Sequence, residues 1–312
     1  MSQRPVARSD SVGSSQSPVP KVGREPKLQN AAARTNVCFL QTESMNLMGV
    51  WRPERRNRNI GTKRSGHSKS NDMRIPETWL DKHGNCTLYY ERLGPAHIDE
   101  VTVGDSHLSV LFERPLEGFS YCCSPADVIR VLTLAAQSLP ATPNIIAFRQ
   151  PTRKQRQQSP VWGRFLYFAD FGRHEGTAIV LEAQELGASL KWSKRMTLDD
   201  RAEYERLICD GYSFMETKRY LVTKLSENTV RNTMLYRTLL HELGHLAEYH
   251  QKVLDDQTAL DPDKDVATDL YFSRPTSERE AFAQRFADEL RQFLMNSGAI
   301  PFEPEPIAKA DI

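Results

Sequence analysis

The sequence predicts an α+β domain, and three observations carry that prediction. Short β-branched and aromatic runs bounded by Gly, Pro, Asn and Asp cluster before residue 183, with one amphipathic helix set among them after a Ser-Pro pair at 124–125. From residue 226 to 296 apolar residues recur instead at helical spacing. Strand candidates and helix candidates therefore fall in largely separate runs, the arrangement of an α+β fold rather than of strict β-α alternation.

Composition divides the chain in two. Residues 1–72 hold thirteen Lys/Arg against five Asp/Glu, a net +8, whereas residues 73–312 hold twenty-eight against thirty-five, a net −7. The first part is rich in Ser, Pro, Gln, Asn and Arg with short apolar islands at Val37 to Leu40 and Met45 to Trp51. It cannot bury enough apolar surface to offset its ordering entropy, so it reads as a disordered basic segment. Its cluster Arg52, Arg55, Arg56, Arg58, Lys63, Arg64 and Lys69 reads first as a solvated tail and second as a weak nucleic-acid contact. Met73 opens ordinary globular composition and is an alternative start. The expected domains are thus 1–72, a folded 73–300 and a flexible, proline-rich 301–312.

No stretch approaches the roughly 18 apolar residues that span a bilayer, and the N-terminus lacks the apolar core of a secretory signal. Five cysteines, Cys38, Cys86, Cys122, Cys123 and Cys209, are odd in number and lack C-x-x-C spacing. This argues against a disulfide framework and a cysteine zinc module, and a reducing cytoplasm fits best.

Taking the elements in order, Cys86 to Glu91, Glu100 to Gly104 and Leu108 to Glu113 read as strands. Ser124 caps a helix with Pro125 at its first position, and Val128, Val131, Leu132 and Ala135 form its apolar face up to Leu139-Pro140. Asn144 to Phe148, Val161 to Phe168 and Gly176 to Glu182 are the next strands, with the polar, basic Gln150 to Pro160 expected as a mobile surface loop. Thr197 opens a capping-box-like helix that runs to about Cys209 before Gly211. Ser226 or Asn228 caps the next helix, which extends to about Leu254. Asp255 to Asp269 reads as an acidic loop, and Ser277 caps the last helix, with Glu278 and Glu280 in its first turn.

The helix after Ser226 carries Thr238-Leu239-Leu240-His241-Glu242-Leu243-Gly244-His245-Leu246. Positions i and i+4 lie one turn apart on one face, so His241 and His245 can aim two imidazoles at a single metal ion. Glu242, rotated by about 100°, misses the first coordination shell yet reaches a water on the metal. Leu235, Leu239, Leu243 and Leu246 form the neighbouring apolar stripe, as for a helix half in a core and half lining a cleft. Gly244 costs a helix interior roughly 1 kcal/mol relative to alanine, so its presence predicts another segment passing close by.

A catalytic zinc needs a third protein ligand. Position 251 is Gln251, which excludes the histidine six residues after His245, and His250 is rotated away from the ligand face. Glu280 is the best candidate. Ala283 and Ala287, three and seven residues on, would let the two helices pack closely enough for a glutamate to reach. Glu278 points elsewhere, and Asp288 sits two turns on and faces another side.

These two stretches, T-L-L-H-E-L-G-H-L and E-R-E-A-F-A-Q-R-F-A-D-E-L from Glu278 to Leu290, resemble the zincins of the glutamate-ligand branch, and most of all the ImmA/IrrE-type peptidases. The resemblance covers roughly residues 235 to 294. It implies a zincin-like α+β fold, a small mixed sheet with helices beneath it, an active-site helix and a second helix with the third ligand. It also implies one Zn2+ per chain on His241, His245 and Glu280, Glu242 as the catalytic carboxylate, and hydrolysis of a protein or peptide substrate. Zincins bind peptide by strand addition to an edge strand, for which Thr177 to Leu181 is the expected choice. Tyr271, Tyr249 and His174 are the candidates for a further oxyanion donor. The rivals are a zinc-containing regulatory or scaffold protein that binds a protein or nucleic acid and cleaves little, against which an intact Glu242 speaks, and an enzyme acting on a non-peptide amide.

Overall fold

The structure is a computed structural model that describes residues 78–80, 86–158, 160–254 and 264–305. The basic segment 1–72, the acidic residues 255–263 and the tail 306–312 lie outside the described residues.

Strands β1 (Thr78–Leu80) and β2 (Cys86–Leu88) form an antiparallel pair. The hairpin β3 (Ala96–Val103) and β4 (Ser106–Glu113) leads through β5 (Phe119–Ser120) into helix α1 (Pro125–Ala135). Next come β6 (Ile145–Arg149), the short α2 (Arg153–Gln158), β7 (Gly163–Asp170), β8 (Glu175–Glu182), and β9 (Gln184–Glu185), which pairs with β5. A second layer follows: β10 (Ser189–Ser193), α3 (Leu198–Cys209), β11 (Met215–Glu216) and β12 (Tyr220–Lys224). The rest is helical. α4 (Glu227–Thr233), a π turn (Met234–Thr238), α5 (Leu239–Tyr249) and a second π turn (His250–Leu254) run without interruption, followed by α6 (Lys264–Ser273) and α7 (Thr276–Asn296).

The fold is mixed α+β, as expected, around a five-stranded mixed sheet in the order β3-β4-β6-β8-β7. The outer pairs are antiparallel, and β4–β6 and β6–β8 are parallel. Central β6 reads Ile-Ile-Ala-Phe-Arg and is buried throughout, because a strand covered on both faces needs apolar residues at every position rather than at alternate ones. Ile146, Phe148, Phe165, Ile179 and Leu181 face the helices and join Val128, Val131 and Leu132 of α1 and the leucines of α5 in the main core. Leu111, Ile145, Ala147, Leu166, Ala178 and Val180 form the opposite face, covered by Tyr90, Leu93 and Phe171. Arg149 and Arg164, both buried, share the Glu182 carboxylate, and the Arg164 guanidinium lies 4.2 Å from the Tyr90 ring centre, so this ion cluster fastens the cover to the sheet.

Several expectations need correction. Thr177 to Leu181 lies in β8, which is interior, between β6 and β7. The edge strand on that side of the sheet is β7, and β3 is the edge on the other. Position in the chain does not give position in the sheet, and the β7–β8 hairpin folds β7 to the outside. The loop expected at Gln150 to Pro160 contains α2, opened by a reciprocal Thr152–Gln155 capping box with bonds of 2.8 and 3.2 Å. The sheet β10-β12-β11 has no counterpart among the strands read from the sequence. Its strands are two and five residues long, too short for the Leu190-Lys191-Trp192 alternation to stand out. Part of the acidic loop, Lys264 to Asp269, belongs to α6. The last helix starts at Thr276, one residue before Ser277.

The caps at Ser124 and Thr197 form as read, and Ser226, not Asn228, caps α4. The tail is anchored further than Pro301. Phe302 donates its N–H to Tyr236 Oη at 3.1 Å, its ring packs under Arg130 and Arg231, and Glu305 N–H reaches Asp127 Oδ1 at 2.9 Å. No helix among the described residues is long and apolar enough to cross a membrane.

Candidate metal centre

Every residue of α5 is buried, so the helix expected to be half in a core is covered on all sides. Two sequence features allow this. Gly244 faces Ala283 of α7, and a Cβ built on Gly244 would fall 2.7 Å from Ala283 Cα and 2.8 Å from its carbonyl oxygen. This is the close approach that a glycine in mid-helix predicted. On the other side Gly163 faces the end of the π turn that leads into α5, where a Cβ would meet Thr238 Cγ2 at 2.9 Å.

The α5–α7 crossing brings three groups together. His241 Nε2 lies 3.3 Å from Glu280 Oε2, and His245 Nε2 lies 3.7 Å from Glu280 Oε1. Donor atoms of the three residues lie within 4.8 Å of one another. Two ligands at roughly 2.1 Å from one ion, set at the tetrahedral angle, stand about 3.4 Å apart, so the spacing suits a single cation. Partnering supports the same fit. His241 Nε2, His245 Nε2 and Glu280 Oε1 are buried and have no hydrogen-bond partner among the described residues. Unsatisfied buried polar atoms are costly, and three converging on one point are what a cation would satisfy. Burial, and then the positive neighbours His241 and Arg279, push the His245 pKa well below its usual value, which favours the neutral, ligating imidazole.

Glu242 is fully buried beside this group but not within it. Burial raises its pKa to about 7; His241 opposes that rise, Glu280 adds to it, and Arg164 and a hydrogen bond from the Phe165 backbone N–H oppose it further. That last bond ties the carboxylate to edge strand β7. Trp162 O accepts from Glu182 N at 2.9 Å, so in this antiparallel ladder Trp162, Arg164 and Leu166 turn their backbone groups toward β8. Gly163, Phe165 and Tyr167 therefore turn theirs outward. The strand runs along α5 in the same direction: Gly163 stands at Thr238, Phe165 at Glu242, and the Tyr167 ring lies 5.0 Å from that of Tyr249.

The other candidates are not delivered to this point. Tyr271 is buried, donates to Glu248 Oε2 at 3.2 Å and meets Tyr167 Oη at 3.2 Å. Tyr249 belongs to the same aromatic cluster. His174 Nδ1 bonds Ser109 Oγ on β4, two strands away from β8. Asp288 accepts from Gln284 on its own helix. Glu278 pairs with Arg274.

Two supports escaped sequence reasoning. Buried Arg279 donates to the carbonyl oxygens of Tyr271 and Arg274 at 3.2 and 3.4 Å, joining the end of α6 to the start of α7. Asp210, fully buried at the end of α3, receives Arg237 Nε at 2.7 Å and Thr233 Oγ1 at 2.8 Å from the long helix, and has Arg291 Nη1 of α7 at 3.1 Å. Arg237 also holds Glu203 at 2.5 Å. The two helices that carry His241, His245 and Glu280 are thus held at a second point, beside the π turn that precedes α5. Neither support has a periodic signature, since an ion cluster assembled from distant elements is invisible to local pattern. No known family, curated protein or solved structure matches this chain.

Proposed function

We propose that this chain is a zinc-dependent metallopeptidase of zincin type, as the resemblance to ImmA/IrrE-type peptidases implies. The observation that carries the reading is Glu242, a buried carboxylate beside three convergent ligand atoms and anchored by the edge strand. A site that only held a structural ion would have no use for it.

His241, His245 and Glu280 would hold one zinc per chain, and a zinc with three protein ligands supplies a Lewis acid for the substrate carbonyl and lowers the pKa of its water toward about 7. Glu242 takes the proton of the attacking water and delivers it to the departing amine. The edge strand β7, rather than Thr177 to Leu181, takes the extended substrate by strand addition, with the Phe165 N–H kept for Glu242. The strand bonded to Glu242 is then the strand that positions the scissile bond.

The purified protein is expected to contain about one zinc per chain by mass spectrometry, and His245→Ala to contain little. Equal zinc in both would remove the ligand assignment. For the activity, cell extract incubated with the zinc-loaded protein is expected to show new protein N-termini by terminal labelling, absent when the protein has been stripped with chelator. If the two extracts give the same termini, a scaffold role replaces the peptidase.

A further inference from the structure

Away from the metal centre, charge of one sign is concentrated on the small sheet β10-β12-β11. Its register places Lys191 opposite Val222, Ser193 opposite Tyr220, Ser189 opposite Lys224 and Met215 opposite Val222. Leu190, Trp192 and Thr223 are buried, so their parity faces the core. The alternate residues, Lys191, Tyr220, Val222, Lys224 and Met215, form the outer face. Arg195 and Lys218-Arg219 are exposed in the turns that adjoin these strands. Glu216, the one carboxylate of these strands, lies opposite Leu221 on the inner parity, where it pairs with Lys194.

The outer face therefore carries Lys191 and Lys224 and no carboxylate, and with the three exposed cations of the adjoining turns the sheet gathers five. Residues 73–312 total −7, so the remainder without these five stands at −12. Adjacent like charges on a sheet face are mutually destabilising, and solvated faces normally mix signs, as Arg130–Glu305 and Arg274–Glu278 do elsewhere on this molecule. Between the cations lie apolar groups open to solvent: Met215 is 68% exposed and Tyr220 41%. Along the strands Lys224 stands at one end, Lys191 in the middle row with Val222 and Met215, then Tyr220, with Arg195 and Lys218-Arg219 following in the turns.

We propose that this face binds single-stranded nucleic acid, with the five cations on phosphates and Tyr220 and Met215 against the bases. A face that sets cations beside an exposed aromatic ring and a methionine suits a polymer that has both a regular anionic backbone and flat apolar faces. An acidic peptide would satisfy the cations and leave the apolar centre bare. A duplex would keep its bases stacked away from Tyr220.

The test uses the full chain and a fluorescent single-stranded oligonucleotide, with anisotropy read over a salt series. Lys218→Glu with Arg219→Glu, and separately Lys191→Glu with Lys224→Glu, should each flatten the dependence of log affinity on log salt by about 1.4, from roughly 0.7 per phosphate contact. Tyr220→Ala should weaken binding roughly tenfold at every salt concentration and leave the slope unchanged. Thermal melts confirm that the variants fold. Independently of any variant, a 5-bromouracil oligonucleotide irradiated on the wild-type chain should crosslink within the peptide that contains Tyr220. Crosslinks confined to residues 1–72, or slopes unchanged in both double variants, overturn the proposal. So does a polyglutamate probe that is lost in those variants while the oligonucleotide is not, which would assign the face to an acidic polypeptide. None of these readouts involves zinc or hydrolysis, so their outcome is separate from that of the peptidase reading.

Discussion

Glu242→Gln is expected to keep its zinc, its fold and its substrate while hydrolysis falls by about 10² to 10⁴, the usual worth of a positioned general base. The substitution preserves volume in a site with no solvent exposure, and the amide oxygen can still accept the Phe165 N–H. What is lost is the capacity to take a proton. Burial holds this carboxylate high, at about 7, so an ionised Glu242 is costly to the folded protein, and the amide should melt at the same temperature or somewhat higher. His241→Ala, by contrast, should lose metal and hydrolysis together. Because generic substrates can be silent with a selective peptidase, the zinc-retaining variant serves as a trap: partners that accumulate on it in extract are purified and offered to both proteins. Equal processing by wild type and Glu242→Gln would end the peptidase reading.

The second large effect is expected at Gly244. Alanine would normally favour a helix interior by up to about 1 kcal/mol, yet here its Cβ must sit 2.7 Å from Ala283 Cα, where backbone on both sides resists displacement. Overpacking of this kind costs roughly 1–3 kcal/mol, and the relief available is for α7 to move away from α5. That movement carries Glu280 with it. Gly244→Ala should therefore melt lower and also bind zinc more weakly, read by competition with a chromogenic chelator, whereas a purely local clash would lower only the melting temperature. Ala283→Gly should not rescue it, since the obstructing atoms are backbone. Rescue by that change would show that the helices are further apart than 2.7 Å implies.

The His241–His245 pair was legible because it is local, and the approach of Glu280 because small residues mark the helix contact. His241 and His245 are related by helical spacing alone, and Gly244, Ala283 and Ala287 announced two helices in close contact before either was placed. The caps at Ser124, Thr197 and Ser226 were legible for the same reason: each is a side chain bonding backbone within three residues. What escaped was set by pairing at a distance. That β7 and not β8 forms the edge depends on which strand the parallel core leaves outermost, and nothing in Thr177 to Leu181 encodes it. The π turns, the Asp210 cluster and the burial of Arg279 are likewise products of elements meeting. The sheet β10-β12-β11 shows a third cause, strands too short for period-2 alternation to stand out.

Asp210 joins the long helix and α7 at a point separate from the three ligands, and the consequence is thermodynamic. A chain that closes only around its cation must draw the entropy of ordering from the binding energy, and it collapses to an unfolded state when the cation leaves. Here Gly244 against Ala283, with two arginines converging on one carboxylate, aligns the helices whether or not a cation is present. On the proposed reading, ion capture would begin from His241, His245 and Glu280 already in place, so little of its free energy would be diverted into folding. The metal would then be an exchangeable occupant of a rigid seat, withdrawn and returned without the domain refolding each time.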